Sequence, residues 1–535
     1  MYDVRLTEAF FPPQTDMKLR DNTVGELLRE VAGRYPEATA LVDIALDGTV
    51  GREWNYRQLL ETSERLAGVL VSRFAPGERV VVWAPNIPEW LFLEYACAFS
   101  GLVLVTANPS FQEKELRYVL EQSGAVALFL VDSFRGNVMT DIAQKAIEGN
   151  GQIREVVNLE DETVLFKQGS KLADLPGVKP TDPAQIQYTS GTTGFPKGAV
   201  LSHYNLVNNA RLFAARKKVH QQSVWANFMP MFHTAGCATT ALGSLQAGCK
   251  MLMIKLFDAN ILARLIESEG ITTFFAVPTM LVGLLEALDR EDREMSSMEV
   301  ITTGGAPVPP ELVRQVRDRL GCSLQSAFGQ TEASPMICLN HDDVTFDDIC
   351  YSAGQPLPHT SVSIRHPETG AVLDVGEVGE ICAKGYNVMI GYHNNPDATH
   401  AAIDEDHWLH TGDLGKLDQR GFIQVTGRVK DMIIRGGENH FPAEIENTLM
   451  ESPQVAEVAV VGIPDEKWGE VIAAFVRTAE DMPWDADNLK SFCRSHLSPQ
   501  KTPSIWRHVD AFPLTGSGKI QKFKIREKYL SGDYE

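Results

Sequence analysis

Along the chain, short apolar runs alternate with longer helical patterns. Arg79-Val-Val-Val-Trp83 is followed by the helical stretch Glu89 to Phe99, and Thr272-Thr-Phe-Phe-Ala-Val277 by Met280 to Leu288; Val126-Ala-Leu-Phe-Leu-Val131 is a further run. Uninterrupted apolar runs of strand length fit strands covered on both faces, as in parallel sheets, and the helical stretches supply the crossovers. The pattern predicts an α/β fold. Leu91 to Thr106 is the most apolar stretch, but it is short for a membrane span, carries Glu94 and is broken at Gly101; it predicts a buried helix followed by the strand Leu102-Val-Leu-Val105. From about Asp418 the texture changes to glycine-punctuated short strands, as in Gly421-Phe-Ile-Gln-Val-Thr-Gly427, and an αβ-type segment runs from near Phe441 to Glu535. This predicts a small C-terminal domain, of a size consistent with autonomous folding. No solenoid-length period recurs, and no low-complexity tract separates the units.

At 535 residues the chain exceeds what one hydrophobic core sustains, so two or more domains are expected. Hydrophobic residues make up 44% and charged residues 22%, the composition of a folded globular protein. Forty-nine basic against seventy acidic side chains give 49 − 70 = −21, which argues against the broad basic face that nucleic acid or anionic lipid would need. Any anionic ligand must be met by local chemistry. The eight cysteines, at 97, 237, 249, 322, 338, 350, 382 and 493, form no CxxC pair and are expected to be reduced core residues. The start, Met1-Tyr-Asp-Val-Arg-Leu-Thr-Glu8, shows no basic segment followed by an apolar run, so a cytoplasmic setting is expected.

The most informative stretch is Tyr188-Thr-Ser-Gly-Thr-Thr-Gly-Phe-Pro-Lys-Gly198. Glycines let backbone N–H groups converge into an anion-binding concavity, hydroxyls add donors, and Lys197 adds a mobile positive charge. The loop should hold phosphates. It is not a Walker A loop, because Pro196 precedes the lysine, Gly198 follows it, and a strand rather than a helix comes next.

Six further motifs follow in order: Pro230-Met-Phe-His-Thr-Ala-Gly236, Thr303-Gly-Gly-Ala-Pro307, Ala327-Phe-Gly-Gln-Thr-Glu332, His410-Thr-Gly-Asp413, Gly427-Arg-Val-Lys-Asp-Met-Ile-Ile-Arg-Gly-Gly-Glu-Asn439 and Gly516-Ser-Gly-Lys-Ile-Gln-Lys522. With the phosphate loop, this set resembles the adenylate-forming superfamily of acyl-CoA synthetases, peptide-synthetase adenylation domains and luciferases. The ending Gly-Lys-Ile-Gln-Lys-Phe-Lys524 and the Arg-Gly-Gly-Glu-Asn block are most similar to medium-chain and related fatty acyl-CoA synthetases. The resemblance implies a large N-terminal domain, residues 1–429, of parallel-type sheets with helices plus a distorted barrel. A small mobile C-terminal α+β domain, residues 430–535, would follow, hinged at Lys430.

By the same resemblance, Thr189, Ser190, Gly191, Thr192, Thr193 and Lys197 wrap the β- and γ-phosphates of ATP. Gly304, Gly305 and Ala306 admit adenine to the backbone, with Ala327, Phe328 and Gly329 beside it; Phe328 stands where many relatives carry tyrosine. Thr331 donates to the α-phosphate, Glu332 holds Mg²⁺, a hard cation suited to carboxylate and phosphate oxygens, and Asp413 accepts from the ribose hydroxyls with Arg428 nearby. Lys519 bridges the attacking carboxylate and the α-phosphate. Arg435, Gly436 and Gly437 border the CoA tunnel, and a plain hairpin turn is the alternative for the two glycines. His233 stands at the mouth of an acyl pocket lined by Ala235, Gly236, Thr239, Pro335 and Met336. His400, His407 and His410 mimic ligand spacing, but no HExxH or cysteine partner supports zinc.

The chemistry expected is an ATP-dependent acid:CoA ligation. Carboxylate and ATP give acyl-AMP and pyrophosphate, and CoA thiol then displaces AMP. A substrate carboxylate with a pKa like that of Glu is already ionised at neutral pH, so no nucleophile need be generated; the work is positioning and charge neutralisation. The alternative is a stand-alone adenylating enzyme that passes acyl-AMP to a carrier protein or performs only one of the two half-reactions. The size of the acid (medium-chain, aryl or bulky polycyclic) and the oligomeric state, with a homodimer among the options, are written in no motif.

Overall fold

The computed structural model describes residues 1–166, 175–189, 196–305, 308–435, 438–479, 482–514 and 520–534. Two large, mainly parallel sheets form its bulk. The first has seven strands in the order Gly391–Tyr392, Lys197–Ser202, Pro183–Thr189, Val103–Thr106, Arg79–Trp83, Ala127–Leu130, Glu155–Asn158. Its last five run parallel, and the first two join antiparallel. The second has nine strands, with a parallel centre of Ser323–Gly329, Val300–Gly304, Thr273–Ala276, Val224–Asn227, Lys250–Ile254 and Thr39–Ile44. Val80, Val81 and Val82 are wholly buried, as expected for strands covered on both faces; each such side chain contributes about 1.5–3 kcal/mol.

The apolar stretch after Trp83 is the helix Pro88–Ser100, started by a proline at its first turn and closed by Gly101 at φ 68°, a left-handed cap. All thirteen of its residues are buried. Of its two buried carboxylates, Glu94 accepts a hydrogen bond from Gln185 Nε2 at 2.6 Å, and burial pushes its carboxyl well above the ordinary range. The described residues hold no helix long and apolar enough to cross a membrane.

The barrel-like element is a five-stranded antiparallel sheet in the order Phe10–Phe11, Thr360–Arg365, Gly379–Gly385, Leu409–Leu417, Ile423–Arg428. The glycine-punctuated strand that seemed to open the C-terminal segment therefore belongs here. The change of texture at Asp418 comes one strand early, because Ile423–Arg428 pairs back on Leu409–Leu417. A 3₁₀ turn, Val429–Asp431, leads on to the last sheet: Ile433–Arg435, Glu438–His440, Val455–Asp465, Gly469–Thr478 and Ile505–His508. The helices Pro442–Met450, Ala486–His496 and Lys522–Ser531 accompany it. Buried apolar clusters respect the same division. Three draw only on residues up to Ile423, and two only on residues from Ile433 onward.

Candidate active site

The parallel strands of the second sheet deliver two of the predicted motifs side by side. Gly304 pairs with Ala327 across neighbouring strands, and an added Cβ at Gly304 would lie 2.7 Å from the Ala327 carbonyl oxygen, a gap only glycine leaves open. Gly305 follows at φ 85°. After Gly329 the chain makes the short 3₁₀ turn Thr331–Ala333 and returns as Met336–Leu339. The turn is fixed from both sides: Gln330 N–H donates to Pro335 O at 2.9 Å, and Met389 N–H donates to Glu332 O at 2.9 Å. Thr331 is buried while Glu332 keeps partial access to solvent.

The first sheet brings the ends of the phosphate loop to the same place. Thr189 ends one strand and Lys197 begins its antiparallel neighbour, and the two residues are paired. Thr189 Oγ1 lies 3.5 Å from Glu332 Oε1. Tyr392, from the two-residue strand on the outer edge of Lys197–Ser202, donates its hydroxyl to Glu332 Oε1 at 2.7 Å. The Lys197 ammonium sits 5.0 Å from the centre of the Tyr392 ring. Burial, with the Glu332 carboxylate beside it, pushes the Tyr392 phenol well up, so it stays a donor. Sequence reasoning missed Tyr392.

Asp413 stands on the third sheet, directly opposite Arg428. Its Oδ1 accepts from Arg428 Nε at 3.0 Å; Asp413 is buried and Arg428 half exposed. His410, three residues earlier, is not among expected ligands of any kind, yet it is the most perturbed histidine nearby. The Cys382 sulfur and the Glu380 carboxylate both face its Nδ1, at 3.5 and 2.8 Å, and together they push it up to about 10. Asp404 lies 3.5 Å from its Nε2. The Glu380 carboxylate beside Nδ1 favours the protonated imidazole. Burial raises the Cys382 thiol, which stays protonated.

Of the acyl-pocket residues, Ala235, Gly236 and Thr239 lie in a buried π-helical segment, Ala235–Leu242; such wide turns are often found at functional sites. Ala235 and Met336 are both buried in the apolar core of the second sheet, and Pro335 precedes Met336. His233 stands just before the segment: its Nδ1 accepts from Ala235 N–H at 3.5 Å and its carbonyl from Cys237 N–H at 3.2 Å. Lys430 lies exposed in the 3₁₀ turn between the third and last sheets. Arg435 donates to Gln500 O at 2.6 Å and packs over Trp468; the strand it ends pairs antiparallel with Glu438–His440. Ser190, Gly191, Thr192, Thr193, Ala306, Gly436, Gly437 and Lys519 lie outside the described residues. The eight cysteines are unpaired, seven of them buried.

A carboxylate, two hydroxyls and a lysine thus converge where the paired ends of the glycine-rich segment, Thr189 and Lys197, meet, and a buried aspartate with an arginine stands on the third sheet. Sequence comparison gives this arrangement its family. The AMP-binding enzyme family matches residues 28–393, and the AMP-binding enzyme C-terminal domain matches residues 444–519. The chain belongs to the AMP-binding enzymes. It is 36% identical to YngI of Bacillus subtilis (strain 168) over 96% of this chain and 98% of that protein. It is 35% identical to the mitochondrial medium-chain acyl-CoA ligase ACSF2 of Bos taurus, over 96% of this chain and 88% of that one. Among solved structures it resembles o-succinylbenzoate-CoA synthetase (MenE) of Bacillus subtilis. With the acyl-adenylate intermediate OSB-AMP the TM-score is 0.83 at 29% identity, covering 95% of this chain and 99% of that one. With ATP and magnesium it is 0.81 at 29% identity, covering 93% and 98%. This AMP-binding enzyme is an AMP-forming acyl-CoA synthetase: it joins a carboxylic acid to CoA at the expense of ATP, through acyl-AMP.

Proposed function

We propose that the reaction runs in the space bounded by Thr189, Lys197, Glu332 and Asp413, on a medium-chain fatty acid. The observation that carries the placement is the convergence of Thr189, Tyr392 and Glu332 on one carboxylate oxygen beside Lys197, from segments far apart in sequence. The ATP triphosphate would lie along the loop between Thr189 and Lys197, with Thr331 donating to the α-phosphate. Asp413 would accept from the ribose, and adenine would lie between Gly304–Gly305 and Phe328. By motif, Ala306 and the loop residues Ser190 to Thr193 would add to these contacts. The substrate carboxylate needs no base; Lys519 would neutralise charge as it attacks the α-phosphate, and pyrophosphate leaves.

Glu332 and its neighbours offer an all-oxygen donor set, which suits Mg²⁺ and not a soft metal. Such an ion would add positive charge next to the phosphates. In the second step the segment after Lys430 would rotate about that residue, bringing Arg435, Gly436 and Gly437 to the CoA arm. The separate apolar clusters on either side of the turn support a boundary at 429/430. His233 with Ala235, Gly236, Thr239, Pro335 and Met336 would receive the acyl chain; the small residues there and the named chemistry of the bovine relative support a medium-chain acid. Eight unpaired cysteines support a reducing, cytoplasm-like setting.

The test is a panel of straight-chain, aryl and polycyclic acids, assayed by pyrophosphate release with and without CoA. Preference for medium straight chains with CoA-dependent AMP release supports the reading. Equal AMP release without CoA would sink the thiol-ligase step.

A further inference from the structure

Asp413 does not sit on a regular strand. In the pairing of Gly379–Gly385 with Leu409–Leu417, Glu380 stands opposite Leu414 and Cys382 opposite His410. The single residue Ile381 therefore faces Thr411, Gly412 and Asp413 together, a bulge with two extra residues on one strand. Gly412 adopts φ 71°, the left-handed region that glycine tolerates. A bulge leaves backbone groups outside the ladder, and each needs a partner.

Here the partners are side chains. Glu380 Oε1 accepts from Gly412 N–H at 3.0 Å. Thr411 Oγ1 donates to Ile381 O at 2.6 Å and accepts from Asp413 N–H at 3.1 Å. The other Glu380 oxygen, Oε2, accepts from His410 Nδ1 at 2.8 Å. One carboxylate thus ties the first residue before the bulge to the middle of it. Its own orientation is held by a ring that Asp404 and Cys382 flank. Arg365 completes the arrangement, 3.2 Å from Asp404 Oδ2.

We propose that Glu380 is the positioning residue for ribose recognition: by bracing the Thr411–Asp413 bulge it aims the Asp413 carboxylate at the two ribose hydroxyls. The inference rests on the reading of Asp413 as the ribose acceptor. Glu380 itself touches no substrate. Its acidity is needed because one side chain must accept from two donors at once, and a carboxylate offers two oxygens for this where an amide offers one.

The test compares ATP with 2′-deoxy-ATP and 3′-deoxy-ATP in the full-length wild type, Glu380→Ala and Glu380→Gln, reading kcat/KM for pyrophosphate release and, separately, nucleotide affinity by calorimetry. In the wild type, loss of a hydroxyl bonded to a carboxylate is expected to cost roughly tenfold to a hundredfold. In Glu380→Ala the discrimination should shrink to about threefold or less, because a misaimed Asp413 no longer rewards the hydroxyls; Glu380→Gln, which keeps an acceptor for Gly412, should fall between. The thermal midpoint is recorded alongside. A merely structural Glu380 would weaken all three nucleotides by the same factor and leave the ratio intact, and that result in either variant overturns the proposal, so Glu380→Gln decides the matter if Glu380→Ala fails to fold. A wild type indifferent to both hydroxyls would instead refute the ribose reading of Asp413. Stoichiometric zinc in the purified enzyme, lost in Glu380→Gln, would also overturn the proposal by making Glu380 a metal ligand.

Discussion

Tyr392→Phe isolates one interaction at the phosphate end of the site. Phenylalanine keeps the ring beneath the Lys197 ammonium and removes only the hydroxyl that donates to Glu332 Oε1 at 2.7 Å. Two consequences oppose each other. A carboxylate without that donor is the more strongly attracting ligand for Mg²⁺, but it is also free to rotate away from the phosphates. A hydrogen bond to a charged group is worth about 1.5–3 kcal/mol when its loss leaves the partner unmet. Both Tyr392 and Glu332 retain access to solvent, so water restores part of it, and about 1–1.4 kcal/mol remains, roughly five- to tenfold. Residues that orient metal ligands generally cost about 10–100-fold in metal affinity when removed, which says that lost orientation outweighs gained charge. The half-saturating Mg²⁺ concentration for pyrophosphate release should therefore rise about five- to tenfold, with kcat at saturating metal within about twofold of wild type. Initial rates against free Mg²⁺ at fixed ATP, together with Mn²⁺ binding to the nucleotide complex by electron paramagnetic resonance, measure both quantities. An unchanged or lower metal requirement would refute the argument and detach Tyr392 from Glu332's function.

Lys519→Ala should abolish adenylate formation while thioester formation from supplied acyl-AMP continues, because the lysine acts only while phosphoryl charge develops; equal loss of both half-reactions would remove it from the mechanism. Lys430→Pro should do the reverse, letting acyl-AMP accumulate, since proline fixes φ near −65° and a pivot must change its torsions; single-turnover decay of acyl-AMP on adding CoA checks this, and normal decay would show that the pivot lies elsewhere. Stability should peak between two pH limits. Burial holds His203 down at about 4 and, with Arg216 nearby, His341 at about 3, so the unfolded chain binds the extra protons and stability falls as pH drops from about 6.5 toward 4. His410, held up at about 10, binds its proton more tightly when folded; its contribution is full below about 6.5 and fades as pH climbs to 10. Urea midpoints from pH 4 to 10 should show both limbs, and a steep alkaline limb surviving in His410→Gln would contradict the assignment.

The α/β rhythm was legible wherever an element buries both faces, as in Arg79–Trp83 and Pro88–Ser100, because full burial writes itself as a predominantly apolar run. The strand after the phosphate loop was equally plain. What escaped the sequence are contacts that only long-range pairing creates. Tyr392 and Glu332 are 60 residues apart, and a two-residue strand has no period to detect. The bulge at Thr411–Asp413 left only Gly412 as a trace, and His410, though quoted in its motif, showed nothing of Glu380 thirty positions earlier. The π-helical segment Ala235–Leu242 was legible as no element in the sequence, because its wider turn matches neither a period of 3.6 nor of 2.

The helix Pro88–Ser100 has a bearing on how this chain tolerates change. Thirteen successive residues with no face toward solvent leave no position where a larger side chain could lean outward or a polar one find water, so substitutions there fall mainly among the mechanisms that cost most: cavities, overpacking and stranded polar groups. Until its neighbours have closed around it, the same segment exposes a largely apolar surface on a nascent chain, the kind that draws chaperones or other unfolded chains. The segment that makes the interior firm is thus also where random mutation should most reduce the amount of enzyme a cell accumulates, while leaving the chemistry of each surviving molecule untouched.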